Sequence, residues 1–168
     1  MKRSRRPPEP AELPACVERD PAGAHFLELR LPATRGELAT ARMRAHQTAT
    51  AFGLDAGRCY EFVFAINEAV TNAIKHGAPD EDGLITVRFT SEGDRLTCSV
   101  HDQGTFTAPV RVLHQRAEHG RGLALMAKLV DDLQLAIKPG STIVHLSKDR
   151  RGAIRRGSLV ADHADAAA

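Results

Sequence analysis

Residues Phe62 to Gly77 read FVFAINEAVTNAIKHG, and the reading of this stretch decides the fold. Cys59, Phe62, Val63, Ile66, Val70, Ala73 and Ile74 recur at helical spacing, so one side of a helix is expected to be core. Asp55 stands ahead of it as an N-cap, and Gly77 stands where a C′ glycine ends a helix. At about 100° per residue, Glu68 and Asn72 fall on the other side, one turn apart, with Ala65 and Ala69 beside them. A helix usually covers its outward side with long charged residues. One carboxylate, one carboxamide and two alanines leave room there for a ligand. Alone, a Glu and an Asn four residues apart are an ordinary surface pair worth about 0.2–0.5 kcal/mol, so the ligand-site reading depends on the rest of the chain.

Composition narrows the classes. With 168 residues, of which 42% are hydrophobic, one domain with tails and a genuine core is expected. No apolar run reaches the length of a membrane span, and MKRSRRPPEP lacks the apolar stretch of a signal peptide. Cys16, Cys59 and Cys98 are odd in number and lack metal-ligand spacing, and the eight histidines form no HxxxH pair. A reduced cytoplasmic setting is the expectation, with no zinc site and no membrane. The net charge of +2 comes from the ends: residues 1–12 carry four Lys/Arg against two acids, and 148–168 five against three. That leaves 14 basic against 16 acidic residues in 13–147, so direct nucleic-acid binding by the folded surface is not expected.

The order of elements follows from pattern. Residues 1–22, rich in Pro, Arg and Glu, are expected to be a disordered tail, with the domain over 23–148 and a second tail over 149–168. His25 to Leu31 reads as a strand ending at Pro32, although its alternation is ambiguous. Thr34-Arg-Gly-Glu37 is a capping-box pattern opening a helix to about Ala51, with a weak apolar side of Leu38, Ala41, Met43, Ala45 and Thr48, broken at Gly53. The Asp55 helix and a turn-rich loop over 78–83 follow. Leu84–Thr90 and Arg95–His101 alternate cleanly around Ser91-Glu92-Gly93-Asp94 and predict a hairpin. From Asp102 to about His119 no periodicity appears, and so long a connection is expected to be functional, often a lid. Gly120 to Leu133 is expected to be helical, and Leu133–Lys138 with Thr142–Ser147 to form a last hairpin around Pro139-Gly140. The fold class predicted is an α/β two-layer sandwich, a mixed, mostly antiparallel sheet with helices on one face.

Three segments then line up. Glu68-Ala-Val-Thr-Asn72 lies on a helix, Asp102-Gln-Gly104 ends a strand, and Gly120-Arg121-Gly122-Leu123 precedes a helix. Each suits one part of a magnesium nucleotide. Backbone N–H groups at a helix start, uncrowded at Gly120 and Gly122, bind phosphates. Asp102 can accept from the exocyclic amine of adenine while Gly104 lets the backbone pass close to the base. Asn72 offers a hard carbonyl oxygen for Mg²⁺. Glu68 can take a proton from an attacking hydroxyl or water. Separately these are a surface pair, a turn and a weak glycine motif. Their order and placement raise the joint reading above its parts.

This order resembles the N, G1 and G2 boxes of the GHKL ATP-binding superfamily, and INEAVTNAIKHG is similar to the anti-sigma factor serine kinase branch. The resemblance covers about Phe26 to Lys148. It implies a Bergerat fold binding ATP with Mg²⁺, with Glu68 as general base, Asn72 as metal ligand and Asp102 holding the adenine amine with Gly104 beside the base. Gly120, Arg121 and Gly122 would line the phosphates, with Leu123 also among the nucleotide-binding residues, and Thr142 matches a threonine placed near adenine through a water. Lys75 and His76 read instead as answering the helix dipole. One departure stands out: Thr105-Phe106 follow Gly104 where the family often carries a second glycine.

The leading expectation is an anti-sigma factor with serine kinase activity towards a STAS-domain antagonist, holding a sigma factor and dimerising through the first strand and helix region. The alternative is a non-catalytic, ATP-responsive protein that sequesters a sigma factor or antagonist. A detached histidine-kinase catalytic domain is disfavoured because no helical hairpin with a phosphoacceptor histidine precedes the Glu68 helix. A bare hydrolase of this size usually needs a second subunit for turnover.

Overall fold

The computed structural model describes residues 17–19, 25–76, 83–104 and 121–151. The expected Gly77 cap, nearly all of the 78–83 loop, the lid with Thr105-Phe106, and Gly120 lie outside them. Nine elements follow in order: β1 (Val17–Arg19), β2 (His25–Pro32), α1 (Glu37–Phe52), α2 (Ala56–His76), β3 (Leu84–Glu92), β4 (Arg95–Asp102), α3 (Arg121–Leu129), β5 (Asp132–Lys138) and β6 (Ser141–Asp149).

The strands form one six-stranded sheet in the order β1-β2-β3-β4-β6-β5. Among the described residues every pairing is antiparallel, so the mostly antiparallel sheet expected has no parallel pair there. The two hairpins account for part of this. Gly93 (φ 56°) and Gly140 (φ 71°) supply the left-handed backbone that two-residue turns need. Strand β1 lies within the segment expected to be a tail and pairs with β2 through Val17↔Leu27. At the other end, β6 carries the fold past Lys148 to Asp149, whose carboxylate receives Arg95 Nε at 2.8 Å.

Period-two alternation buries Ile85, Val87 and Phe89 of β3 with Leu96, Cys98 and Val100 of β4. Cys98 has no exposed surface, and burial pushes its thiol pKa up. The opposite face of the sheet is polar, with Ser99 Oγ and His145 Nδ1 at 2.7 Å and Thr97 Oγ1 and Ser147 Oγ at 2.9 Å across the β4/β6 pair. Partial burial there holds the His145 pKa below the usual imidazole range.

The helices cover the apolar face. In α1 the buried residues are Ala41, Ala45 and Ala49, whereas Met43 is 50% exposed, so the apolar side differs from the one expected. Alanines four apart allow α1 to lie close against α2. The capping box does not form either. Gly36 precedes the helix, no side chain caps it, and Glu37 N–H donates to the Thr34 carbonyl at 3.1 Å. The helix does end at Gly53 (φ 93°), whose N–H returns to the Ala49 and Thr50 carbonyls. Asp55 caps α2 through Oδ1, which accepts the Arg58 N–H at 2.9 Å.

Helix α2 is the central element. Ala65 and Ala69, expected beside an open flank, are buried at 0% and 1% exposure. Helix α3 packs along that side of α2, and small side chains let it approach. Helix α3 stops at Leu129 instead of Leu133. Asp131 N–H donates to the Ser147 carbonyl at 2.9 Å and turns the chain into β5. Lys148, only 4% exposed, secures this end: Nζ donates to the Leu129 carbonyl and to Glu61 Oε2, each at 2.6 Å. A cation at a helix C-terminus also answers its dipole. No described helix is long and apolar enough to cross a membrane.

Candidate nucleotide site

Five elements converge on one small cleft, whose enclosed space is about 20 Å³. Helix α2 supplies Asn72 and His76, β4 ends in it at Asp102, β6 adds Thr142, and α3 adds Leu123 and Met126. Ala69 and Ala73 keep the α2 wall low, while Leu135 and Val144 make the remainder apolar. Apolar walls with a few convergent polar groups are the usual make-up of a small-molecule pocket.

Strand register brings the deepest polar pair together. Asp102 and Thr142 are Cα partners in the β4/β6 ladder, although forty residues of sequence order separate them. Their side chains point to the core face and are 7% and 1% exposed. The Gly104 N–H donates to Asp102 Oδ1 at 2.9 Å, folding the chain back over the carboxylate. Thr142 Oγ1 makes a long 3.5 Å hydrogen bond to the Gly104 carbonyl. Burial raises the Asp102 pKa. The Gly104 N–H and the imidazoles of His101 and His76 pull it back. A carboxylate placed so deep is suited to accept from a polar ligand edge.

The rim is built where α3 starts against α2. A methyl group at Gly122 would come within 3.4 Å of Asn72 Nδ2 and 3.7 Å of Glu68 Oε2. Any larger side chain would occupy the space in front of both. The glycine therefore lets the first turn of α3 approach the Asn72 carboxamide and the Glu68 carboxylate closely. Helix starts present unpaired N–H groups, and the atoms opposite this one are the Asn72 amide nitrogen and a Glu68 carboxylate oxygen.

The structure thus gathers Asn72, Asp102, Leu123 and Thr142 in the cleft, with Glu68 and Gly122 at its rim and Gly104 bonded to Asp102. Arg121 opens α3. Sequence reasoning missed the apolar walls, Met126, Leu135 and Val144, which carry no signal beyond ordinary core periodicity. It also placed His76 only at a helix end, whereas His76 lines the cleft. Among the described residues, no group of three or more His, Cys, Asp or Glu is arranged to hold a metal.

Comparison with known proteins identifies the family of the chain. Residues 31–148 match the family described as Histidine kinase-like ATPase domain. The chain is 30% identical over 131 residues to the serine-protein kinase RsbW of Bacillus velezensis, covering 70% of this chain and 82% of that protein. It is 32% identical over 95 residues to the anti-sigma F factor of Thermoanaerobacter sp., covering 50% of this chain and 65% of the relative. A solved structure of the RsbU and RsbW domains of a Mycobacterium tuberculosis protein superposes with TM-score 0.56 at 28% identity, covering 73% of this chain. This chain spans 32% of that longer one. With the matched region running from β2 to β6 and enclosing the whole described cleft, the chain belongs to the histidine kinase-like ATPase domain family.

Proposed function

We propose that the chain is an ATP-dependent protein serine kinase that also acts as an anti-sigma factor. Its acceptor would be a serine on a STAS-domain antagonist. The observation that carries this reading is Asn72 in the wall, and Glu68 at the rim, of a cleft whose floor is the buried Asp102–Thr142 pair. The RsbW and anti-sigma F names of its relatives point the same way.

In this reading the adenine amine donates to Asp102 and the phosphates lie towards the start of α3. Asn72 would hold Mg²⁺ through its carbonyl oxygen, and the ion would supply charge neutralisation at the phosphates. Glu68 accepts the proton of the serine hydroxyl as its oxygen bonds to the γ-phosphorus. The bond from that phosphorus to the bridging oxygen breaks, and ADP leaves with the electron pair. Buried apolar walls keep the base-binding end dry, which strengthens the hydrogen bond to Asp102. A sigma factor is the second partner, held until unphosphorylated antagonist competes for the chain. Homodimerisation through the first strand and α1 belongs to the same reading, and sedimentation tests it.

The deciding experiment incubates the full chain with γ-labelled ATP, Mg²⁺ and purified single-domain STAS proteins. Label on an acceptor serine is the expected result. Glu68→Ala should lower transfer by about a hundredfold or more while ATP affinity is kept. Undiminished transfer in that variant would remove Glu68 as base. Binding of a STAS protein with no transfer at all would make the chain a holding protein instead.

A further inference from the structure

The outward side of α2 carries an apolar stripe that leads to Glu68. Tyr60 and Phe64 are one turn apart, 69% and 37% exposed, with ring centroids 6.2 Å apart. Glu68 is the next residue along the same line of the helix. Leu125 of α3 is likewise 37% exposed. It stands between Gly122, which faces Glu68 and Asn72, and Leu129, whose carbonyl meets Lys148 beside Glu61. On the α1 side the stripe is closed by Arg42 Nη1 donating to Asn67 Oδ1 at 3.1 Å.

We infer that Tyr60, Phe64 and Leu125 form the docking surface for the phosphoacceptor protein, delivering its serine hydroxyl to Glu68. The inference rests on the kinase reading above and names where its protein substrate sits. Geometry selects the occupant. A hydroxyl that gives its proton to Glu68 must arrive from the open side of α2, because the other sides are filled by α1, α3 and the sheet. A folded domain carrying that hydroxyl then covers the residues one and two turns away, which are the two aromatics. A second copy of this chain or a sigma factor has no such need to approach Glu68. Two adjoining exposed rings are also the composition of an interface centre, where few side chains carry most of the affinity. The acceptor is expected to present aliphatic side chains around its serine.

The test uses the full chain, and the STAS acceptor labelled in the assay above, with the double variant Tyr60→Ser/Phe64→Ser. KM for the acceptor should rise by about tenfold or more, with kcat changed by less than about twofold and ATP affinity unaltered. A short synthetic peptide carrying the same serine, lacking the surface that would reach Tyr60, should be phosphorylated equally by both proteins. Tyr60→Phe keeps the ring and should restore a near wild-type KM. An unchanged KM overturns the docking surface while leaving the kinase reading intact. So does a fall in kcat accompanied by a lower melting temperature, which would mean a structural role. Loss of dimerisation with KM unaltered would assign the stripe to contact between copies and equally overturn it. Absence of transfer by the wild-type chain removes the kinase reading, and this inference falls with it.

Discussion

Asp102 combines the opposing demands of the site in one side chain. Its pKa is raised first by burial, with the Gly104 N–H and the imidazoles of His101 and His76 working against the rise. A group whose folded pKa lies above its unfolded value contributes stability that is fully present below the unfolded pKa and is lost as pH rises through the folded one. Asp102→Asn is therefore expected to raise the melting temperature near pH 7, and by less near pH 4, in scans across that range. The same substitution should weaken ATP binding by about tenfold, since a neutral carbonyl replaces a charged acceptor. Wild-type affinity should fall as the solution is acidified through the raised pKa, and the variant should lack that limb. Calorimetric titration at several pH values checks both. A pH-independent wild-type affinity with full binding by the variant would place the base elsewhere. Asp102 and Gly104 were legible in the sequence as a turn at a strand end. That Thr142 lies opposite was a matter of register, which pattern alone left open until the β4/β6 ladder paired them.

Among the elements, the strands were the most legible and the alanine-lined helix seams the least. Ile85, Val87, Phe89, Leu96, Cys98 and Val100 alternate so regularly that inside and outside follow from the spelling, and all six are buried. Alanine gains little from burial and occurs on every face, so Ala41, Ala45 and Ala49 of α1, and Ala65 and Ala69 of α2, gave no warning of two close helix contacts. The end of α3 was misread because Leu133 continues the helical period, while the Asp131 to Ser147 backbone bond redirects the chain before it. Strand β1, with three residues, is too short to show alternation. The Thr34–Glu37 pattern failed as a cap because a turn bonded to the Thr34 carbonyl occupies its place. The α2/α3 seam carries a prediction. Ala65→Leu adds volume where none is free and should cost about 1–3 kcal/mol, read from chemical denaturation with an unchanged slope. Met43→Leu, on the exposed side of α1, should shift stability by less than about 0.5 kcal/mol. Equal effects of the two would contradict the packing described here.

Taken whole, the molecule is a sheet whose central strands, β3, β4 and β6, meet the helical layer through one continuous core. Its edges are tied by charge rather than by burial: Arg58 reaches Asp131 Oδ2 at 3.1 Å and the Asp149 carbonyl at 3.0 Å, holding the start of α2 to the end of β6. Such partly exposed pairs contribute modestly and weaken with salt. Lys148 differs in being enclosed, so loss of its ammonium would take the donor from the Leu129 carbonyl, while Glu61 stays open to water. The sulfur of Cys98 turns this arrangement into a clock. A maleimide cannot reach it without parting β4 from its neighbours and from the layer above, so its alkylation rate counts whole-molecule openings. Under native conditions that rate should be slower than in denaturant by a factor on the order of 10³ or more, followed by mass spectrometry of the peptide that contains it. Rapid tagging in native buffer would mean that the middle of the sheet breathes on its own. Saturating ATP should slow the clock further, so a reagent that never touches the nucleotide cleft would report its occupancy.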